Sequence, residues 1–201
     1  MKLKVCGIKQ LEQVKQLDSL GIDFIGFIHY KKSPRNVSLA ELLQLNKTTK
    51  ATKVLVTVNE SVENLYKLSD ALKTKTVQLH GNESPKICKE LKENNFTIIK
   101  AFGISEAFDF KTLNEYKNCV DYFLFDYKGE QPGGNGSTFN WELLQNYTLD
   151  IPYFLSGGIG IHHKEPLKNL SLKHCFAIDV NSKFEKEPGI KDITLLTKFI
   201  K

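Results

Sequence analysis

The chain has 201 residues, 41% of them hydrophobic and 25% charged, a balance that fits one globular domain over 1–201 and excludes disordered and fibrous compositions. Its formal net charge is +5, but the basic residues are spread out and carry no aromatic-basic RNA signature, so the sequence predicts no nucleic-acid partner and a field suited to a doubly anionic small substrate. The opening MKLKVCGIKQ meets Gly7 and Lys9 before an apolar stretch can form, and no run approaches the roughly 20 apolar residues of a membrane helix, which predicts a cytoplasmic protein with no membrane contact.

Eight short apolar runs follow one another along the chain and predict strands at Leu3–Cys6, Phe24–Ile28, Val54–Val58, Val77–His80, Thr97–Ala101, Tyr122–Asp126, Tyr153–Ser156 and Phe176–Val180. Between them lie amphipathic patterns at helical spacing, such as Leu11, Val14, Leu17 and Leu20, or Ile87 and Leu91. The fifth of these is the weakest, because Asp109 to Tyr116 is short. In the sixth crossover the turn-rich Gly129–Ser137 reads as a mobile loop, a lid over bound substrate. Strictly alternating strands and helices mean a parallel sheet, and eight units in so short a chain predict an α/β fold of the (β/α)8 TIM-barrel type.

Active sites of such barrels collect at the carboxyl ends of the strands. At those ends stand Cys6, His80, Asp126, the pair Gly157 and Gly158, and the run Asp179, Asn181 and Ser182. By position alone Cys6 is either a small buried hydrophobe or a base whose thiol needs nearby positive charge. Asp126 is either a turn-capping carboxylate or a general acid. The glycine pair is either a tight turn or, with Asn181 and Ser182, a set of amides and a hydroxyl for phosphate. Arg35 is the only arginine beside 27 lysines; a planar fork, unlike an ammonium, matches a carboxylate at two points. The cysteines at 6, 88, 119 and 175 have neither zinc nor redox spacing, and His29, His162, His163 and His174 form no metal pattern. No metal is predicted.

Over nearly the whole chain KVCGIK (4–9), GIDFIGFIHYKKSPRNVS (21–38), VQLHGNES (77–84), FLFD (123–126), GGNGSTFNW (133–141), LSGGI (155–159), AIDVNSKFE (177–185) and PGIKD (188–192) resemble, in order and spacing, the phosphoribosylanthranilate isomerase family of tryptophan biosynthesis. The resemblance implies an Amadori rearrangement without a cofactor on a phosphorylated sugar–anthranilate substrate. It makes Cys6 the general base and Asp126 the general acid, sets Arg35 on the anthranilate carboxylate and Gly157, Gly158 and Ser182 at the phosphate, puts His80, in the family's strongly marked QLHG segment, among the substrate-binding residues, and brings Asp179 near the sugar. It implies nothing about protein partners. The chain departs from the family at Asn135, Ser137 and Asn140, and at Asn181, Lys183 and Phe184; Lys183 replaces a glycine, a strained exchange if the backbone there is left-handed. Two other readings stay open: a different phosphate-binding barrel, such as indole-glycerol-phosphate synthase or a histidine-pathway isomerase, and a barrel that binds a phosphorylated metabolite without catalysis.

Overall fold

In a computed structural model of the chain, residues 1–127, 140–169 and 172–201 are described; the expected lid, Gly129–Ser137, lies outside them. Strands β1 (Lys2–Cys6), β2 (Phe24–His29), β3 (Thr52–Thr57), β4 (Thr76–Leu79), β5 (Thr97–Ile104), β6 (Tyr122–Tyr127), β7 (Tyr153–Leu155) and β8 (Cys175–Val180) are all parallel, and β8 pairs back onto β1 to close the barrel. The (β/α)8 barrel is therefore the fold, and each predicted strand has its counterpart. β3 starts two residues early because the Thr52 amide donates to the Asp23 carbonyl and Thr52 pairs with Phe24. β5 runs on to Ile104, since Phe102 to Ile104 keep pairing with Phe125 to Tyr127.

Helices α1 (Leu11–Ser19), α2 (Leu39–Leu45), α3 (Val62–Leu72) and α4 (Pro85–Glu93) cover the first half of the barrel. Each turns an apolar stripe inward, as Leu65, Leu68 and Leu72 do in α3. α2 starts on a capping box: the Ser38 Oγ accepts from the Glu41 amide while the Glu41 carboxylate accepts from the Ser38 amide. The second half departs from regular alternation. Among the described residues, the crossovers after β5 and β6 carry 3-10 turns, Phe110–Glu115 and Trp141–Asn146, and the one after β7 a 3-10 turn and the six-residue α5 (Lys164–Asn169). These spacers hold too few apolar residues at helical spacing to bury an α-helical face. After β8 comes an element without a periodic signal, a hairpin of β9 (Glu185–Glu187) and β10 (Ile190–Lys191), before the final helix α6 (Ile193–Ile200).

Because side chains alternate along a strand, every second residue enters the barrel. Near the amino ends these are aromatic: Phe24, Tyr122, Phe154 and Phe176 pack with centroids 4.8 to 5.9 Å apart, edge to face except for the tilted pair Tyr122–Phe176. Val54, Val56, Ile99, Ala101, Leu124 and Ala177 fill the middle. At the carboxyl ends the inward residues turn polar, so the barrel is plugged at one end and open at the other.

Candidate active site

The open end holds a cavity of about 340 Å³. Among its lining residues are Cys6, Arg35, His80, Asp126, Gly157, Gly158, Asp179, Asn181 and Ser182, so the nine positions singled out in the sequence converge on one space. Tyr30, Ser33, Gln78 and Ser156 join them; Gln78 was overlooked although it stands two residues before His80, on the same side of the chain by the two-residue period of a strand.

On β1, Cys6 is nearly buried and Lys4, two residues earlier, is wholly so. The β1–β8 register sets Lys4 beside Asp179, and its Nζ lies 2.9 Å from the Asp179 Oδ1. Burial pushes the Cys6 thiol up; the nearby ammonium of Lys4 and that of Lys191 pull it back, while Asp179 adds to the rise. Burial alone would depress Lys4, but Asp179 and Cys6 overcome it and hold the lysine as a cation. Asp179, buried, is raised against the pull of Lys4. The sequence reading missed Lys4, although strand alternation points it at the thiol.

Across the cavity β6 carries Asp126. Its Oδ1 accepts from the Tyr127 amide at 2.9 Å, and its Oδ2 is 3.5 Å from the His80 Nε2. His80 Nδ1 is 2.7 Å from the Gln78 side-chain nitrogen. With that amide as donor, Nδ1 accepts and the imidazole proton sits on Nε2, facing Asp126. The Gln78 Oε1 is buried without a partner among the described residues.

Gly157 and Gly158 follow β7 with φ +97 and +67. A side chain at Gly157 is doubly barred: its Cβ would lie 2.5 Å from the Tyr127 nitrogen and 3.1 Å from the Asp126 Oδ1. Ser182 opens the 3-10 turn Ser182–Phe184 after β8. Lys183 is absent from the positive-φ residues, so the lysine costs no backbone strain there; its side chain packs against Gly160 and lies outside the cavity lining.

Arg35, in the loop between β2 and α2, already has a carboxylate partner. Its Nε lies 2.9 and 3.0 Å from the two Glu185 oxygens and its Nη2 2.5 Å from Oε2, a contact between residues 150 apart that sequence reading gave no hint of. Among the described residues no group of three or more His, Cys, Asp and Glu side chains could hold a metal ion, and no helix is long and apolar enough to cross a membrane.

A (β/α)8 barrel with its ionisable residues gathered in one cavity at the carboxyl ends of the strands is the architecture of a barrel enzyme. The family described as N-(5'-phosphoribosyl)anthranilate (PRA) isomerase matches residues 3–201. An N-(5'-phosphoribosyl)anthranilate isomerase of Parabacteroides distasonis is 39% identical over 203 residues, covering 100% of this chain and 92% of the relative. The crystal structure of phosphoribosyl anthranilate isomerase from Thermotoga maritima superimposes with TM-score 0.87 at 30% identity, covering 100% of this chain and 97% of the other. A crystal structure of the same kind of isomerase, in complex with reduced 1-(o-carboxyphenylamino)-1-deoxyribulose 5-phosphate, gives TM-score 0.84 at 28% identity over 100% and 96% of the two chains. The chain belongs to the N-(5'-phosphoribosyl)anthranilate isomerase family and is an intramolecular isomerase.

Proposed function

We propose that the chain, acting as one domain over 1–201, converts N-(5-phosphoribosyl)anthranilate to 1-(2-carboxyphenylamino)-1-deoxyribulose 5-phosphate in tryptophan biosynthesis, in the cytoplasm, with Cys6 as general base and Asp126 as general acid. The observation that carries this is the convergence of thiol and carboxyl on one cavity whose lining also includes Arg35, the Gly157–Gly158 turn and Ser182. A guanidinium together with freed amides and a hydroxyl suits a substrate that bears both a carboxylate and a phosphate.

Asp126 protonates the furanose ring oxygen, the C1–O bond breaks, and the anthranilate nitrogen lone pair forms the iminium. His80, with its Nε2–H turned to Asp126 3.5 Å away, supports the carboxylate that is left. The iminium acidifies the proton on C2, which the Cys6 thiolate removes; Lys4 stabilises that thiolate from below. The Cys6 thiol gives its proton to C1 of the enolamine while the C2 hydroxyl gives its own to the Asp126 carboxylate, which yields the ketone and restores both groups. C2 is oxidised as C1 is reduced, so the electrons balance within the substrate and the chemistry calls for no nicotinamide, metal or pyridoxal. Asp179, held by Lys4 at 2.9 Å, accepts from a sugar hydroxyl, and the amides of Gly157 and Gly158 with Ser182 and Asn181 hold the phosphate.

Loss of phosphoribosylanthranilate fluorescence in the presence of purified protein tests this. Turnover is expected, with Cys6→Ser and Asp126→Asn each at least about a hundredfold slower, the scale of one positioned acid or base, while both stay folded by circular dichroism. A folded wild-type protein that leaves the substrate unconsumed would sink the reading, and near-normal turnover in either variant would sink that residue's role.

A further inference from the structure

The hairpin after β8 contributes two buried ionic side chains, Glu185 and Lys191, for which the proposed chemistry has no use. Both converge on Arg35. Glu185 grips the Nε–Nη2 side of the guanidinium, and the Lys191 Nζ lies 2.6 Å from the same carboxylate and 2.7 Å from the Asn181 Oδ1. The hairpin is fixed in turn: Gln13 of α1 exchanges two hydrogen bonds with the backbone of Lys191, at 3.0 and 3.1 Å. On the other side the arginine stem lies over Gly7, φ +79, where a Cβ would sit 2.7 Å from the Arg35 Cδ.

We propose that Glu185 and Lys191 are positioning residues that hold Arg35 by the side edge of its guanidinium, so that the remaining end faces the cavity as a preformed receptor for the substrate's carboxylate. This rests on the carboxylate reading of Arg35 given above. A guanidinium has two bidentate edges; with Nε and Nη2 on Glu185, the Nη1–Nη2 end is the one left to a second carboxylate. Charge points the same way. Two cations, Arg35 and Lys191, share one anion, Glu185, so the cluster carries one net positive charge in a nearly buried place, and a bound carboxylate neutralises it. The groups facing Glu185 keep it ionised: burial alone would raise its carboxyl, yet Arg35 and Lys191 with the Gly189 amide hold it below the usual carboxylate range. A clamp of this kind also removes the ordering cost that a free arginine meets when it binds.

Arg35 is the only arginine in the chain, so the arginine Nε–H region of a ¹H–¹⁵N spectrum holds one side-chain signal and reports this contact without assignment. In wild type that signal should be displaced from the free-arginine position and slow to exchange with water; in Glu185→Ala it should collapse to the free position, with Glu185→Gln between them. An unchanged signal in Glu185→Ala would overturn the clamp. Kinetics on the phosphoribosylanthranilate substrate test its purpose. Glu185→Ala should raise KM about ten- to a hundredfold, the scale of a lost charge-assisted hydrogen bond, and change kcat far less. Glu185→Gln should recover part of the loss, and Arg35→Ala/Glu185→Ala should be no worse than Arg35→Ala. Additive effects in the double variant, or a loss in kcat in place of KM, would overturn the positioning role. If Glu185→Ala does not fold, Glu185→Gln carries both measurements. A normal KM in Arg35→Ala beside a collapsed signal in Glu185→Ala would place the fault in the carboxylate reading and remove the receptor, with the clamp itself intact.

Discussion

Replacing Lys4 by methionine keeps the side-chain length inside the barrel and removes the charge beneath Cys6. Two unit charges about 4 Å apart interact by roughly 4 kcal/mol at an effective dielectric of about 20. The Asp179 carboxylate, 2.9 Å from the same ammonium, cancels part of what Cys6 feels. About 1.4 to 3 kcal/mol of thiolate stabilisation remains, which is roughly a ten- to hundredfold lower thiolate fraction at a pH below the thiol's own range. The variant also strands a buried carboxylate, a cost of about 3 to 5 kcal/mol, part of which Asp179 relieves by binding a proton. Iodoacetamide alkylation of the Cys6 peptide, followed by mass spectrometry across pH, reads the thiolate, and urea unfolding reads the stranded charge. Lys4→Met should show the alkylation profile displaced to higher pH and a lower urea midpoint. Lys4→Met/Asp179→Asn, with both charges gone, should recover much of the stability and react between the two. Superimposable alkylation profiles for Lys4→Met and wild type would refute the idea that this ammonium governs the thiol.

Gly157→Ala should cut kcat at least about tenfold, because the new methyl must displace the Tyr127 backbone or Asp126 and misplacement by fractions of an ångström is costly at a reacting centre; unchanged kcat would show that this turn can relax. Since burial pushes the Cys6 thiol up, kcat/KM should go on rising with pH beyond the ordinary thiol range near about 8.5, and a profile already flat at neutrality would count against Cys6 as base. Glu185 titrates the other way. Its carboxyl is lowered in the folded chain, so the stability it supplies is complete above about pH 4.3, where the unfolded glutamate is ionised, and is lost as pH falls through the lower folded value. Urea midpoints measured from pH 6 to pH 3 should therefore fall less steeply in Glu185→Gln than in wild type, and parallel curves would contradict the assignment.

The eight strands were legible because each is an apolar run between turn residues, and barrel closure followed from their number. The cavity residues were legible for a related reason: polar residues such as Cys6 and Asp126 terminate apolar strands, and in a parallel barrel all such ends meet at one rim. Crossovers were harder. A short spacer such as Asp109 to Tyr116 can close by a 3-10 turn as well as by a helix, and hydrophobic period says little over six residues. Least legible were the charged pairs across the barrel, Lys4 with Asp179 and Arg35 with Glu185, separated by 175 and 150 residues. Local pattern carries no register between β1 and β8 and no trace of a hairpin folding back onto the loop after β2. The solitary arginine was a cue that a guanidinium mattered, though not that its nearest carboxylate belongs to its own chain.

The aromatic plug of Phe24, Tyr122, Phe154 and Phe176 makes the barrel a blind alley. If the chemistry proposed for Cys6 and Asp126 runs in this cavity, its product must leave through the doorway by which its precursor arrived, and for as long as it lingers the next molecule waits outside. Product and substrate are thus rivals for the same berth. In the proposed reaction, release of the phosphate end is a step in which neither the thiol nor the carboxyl takes part.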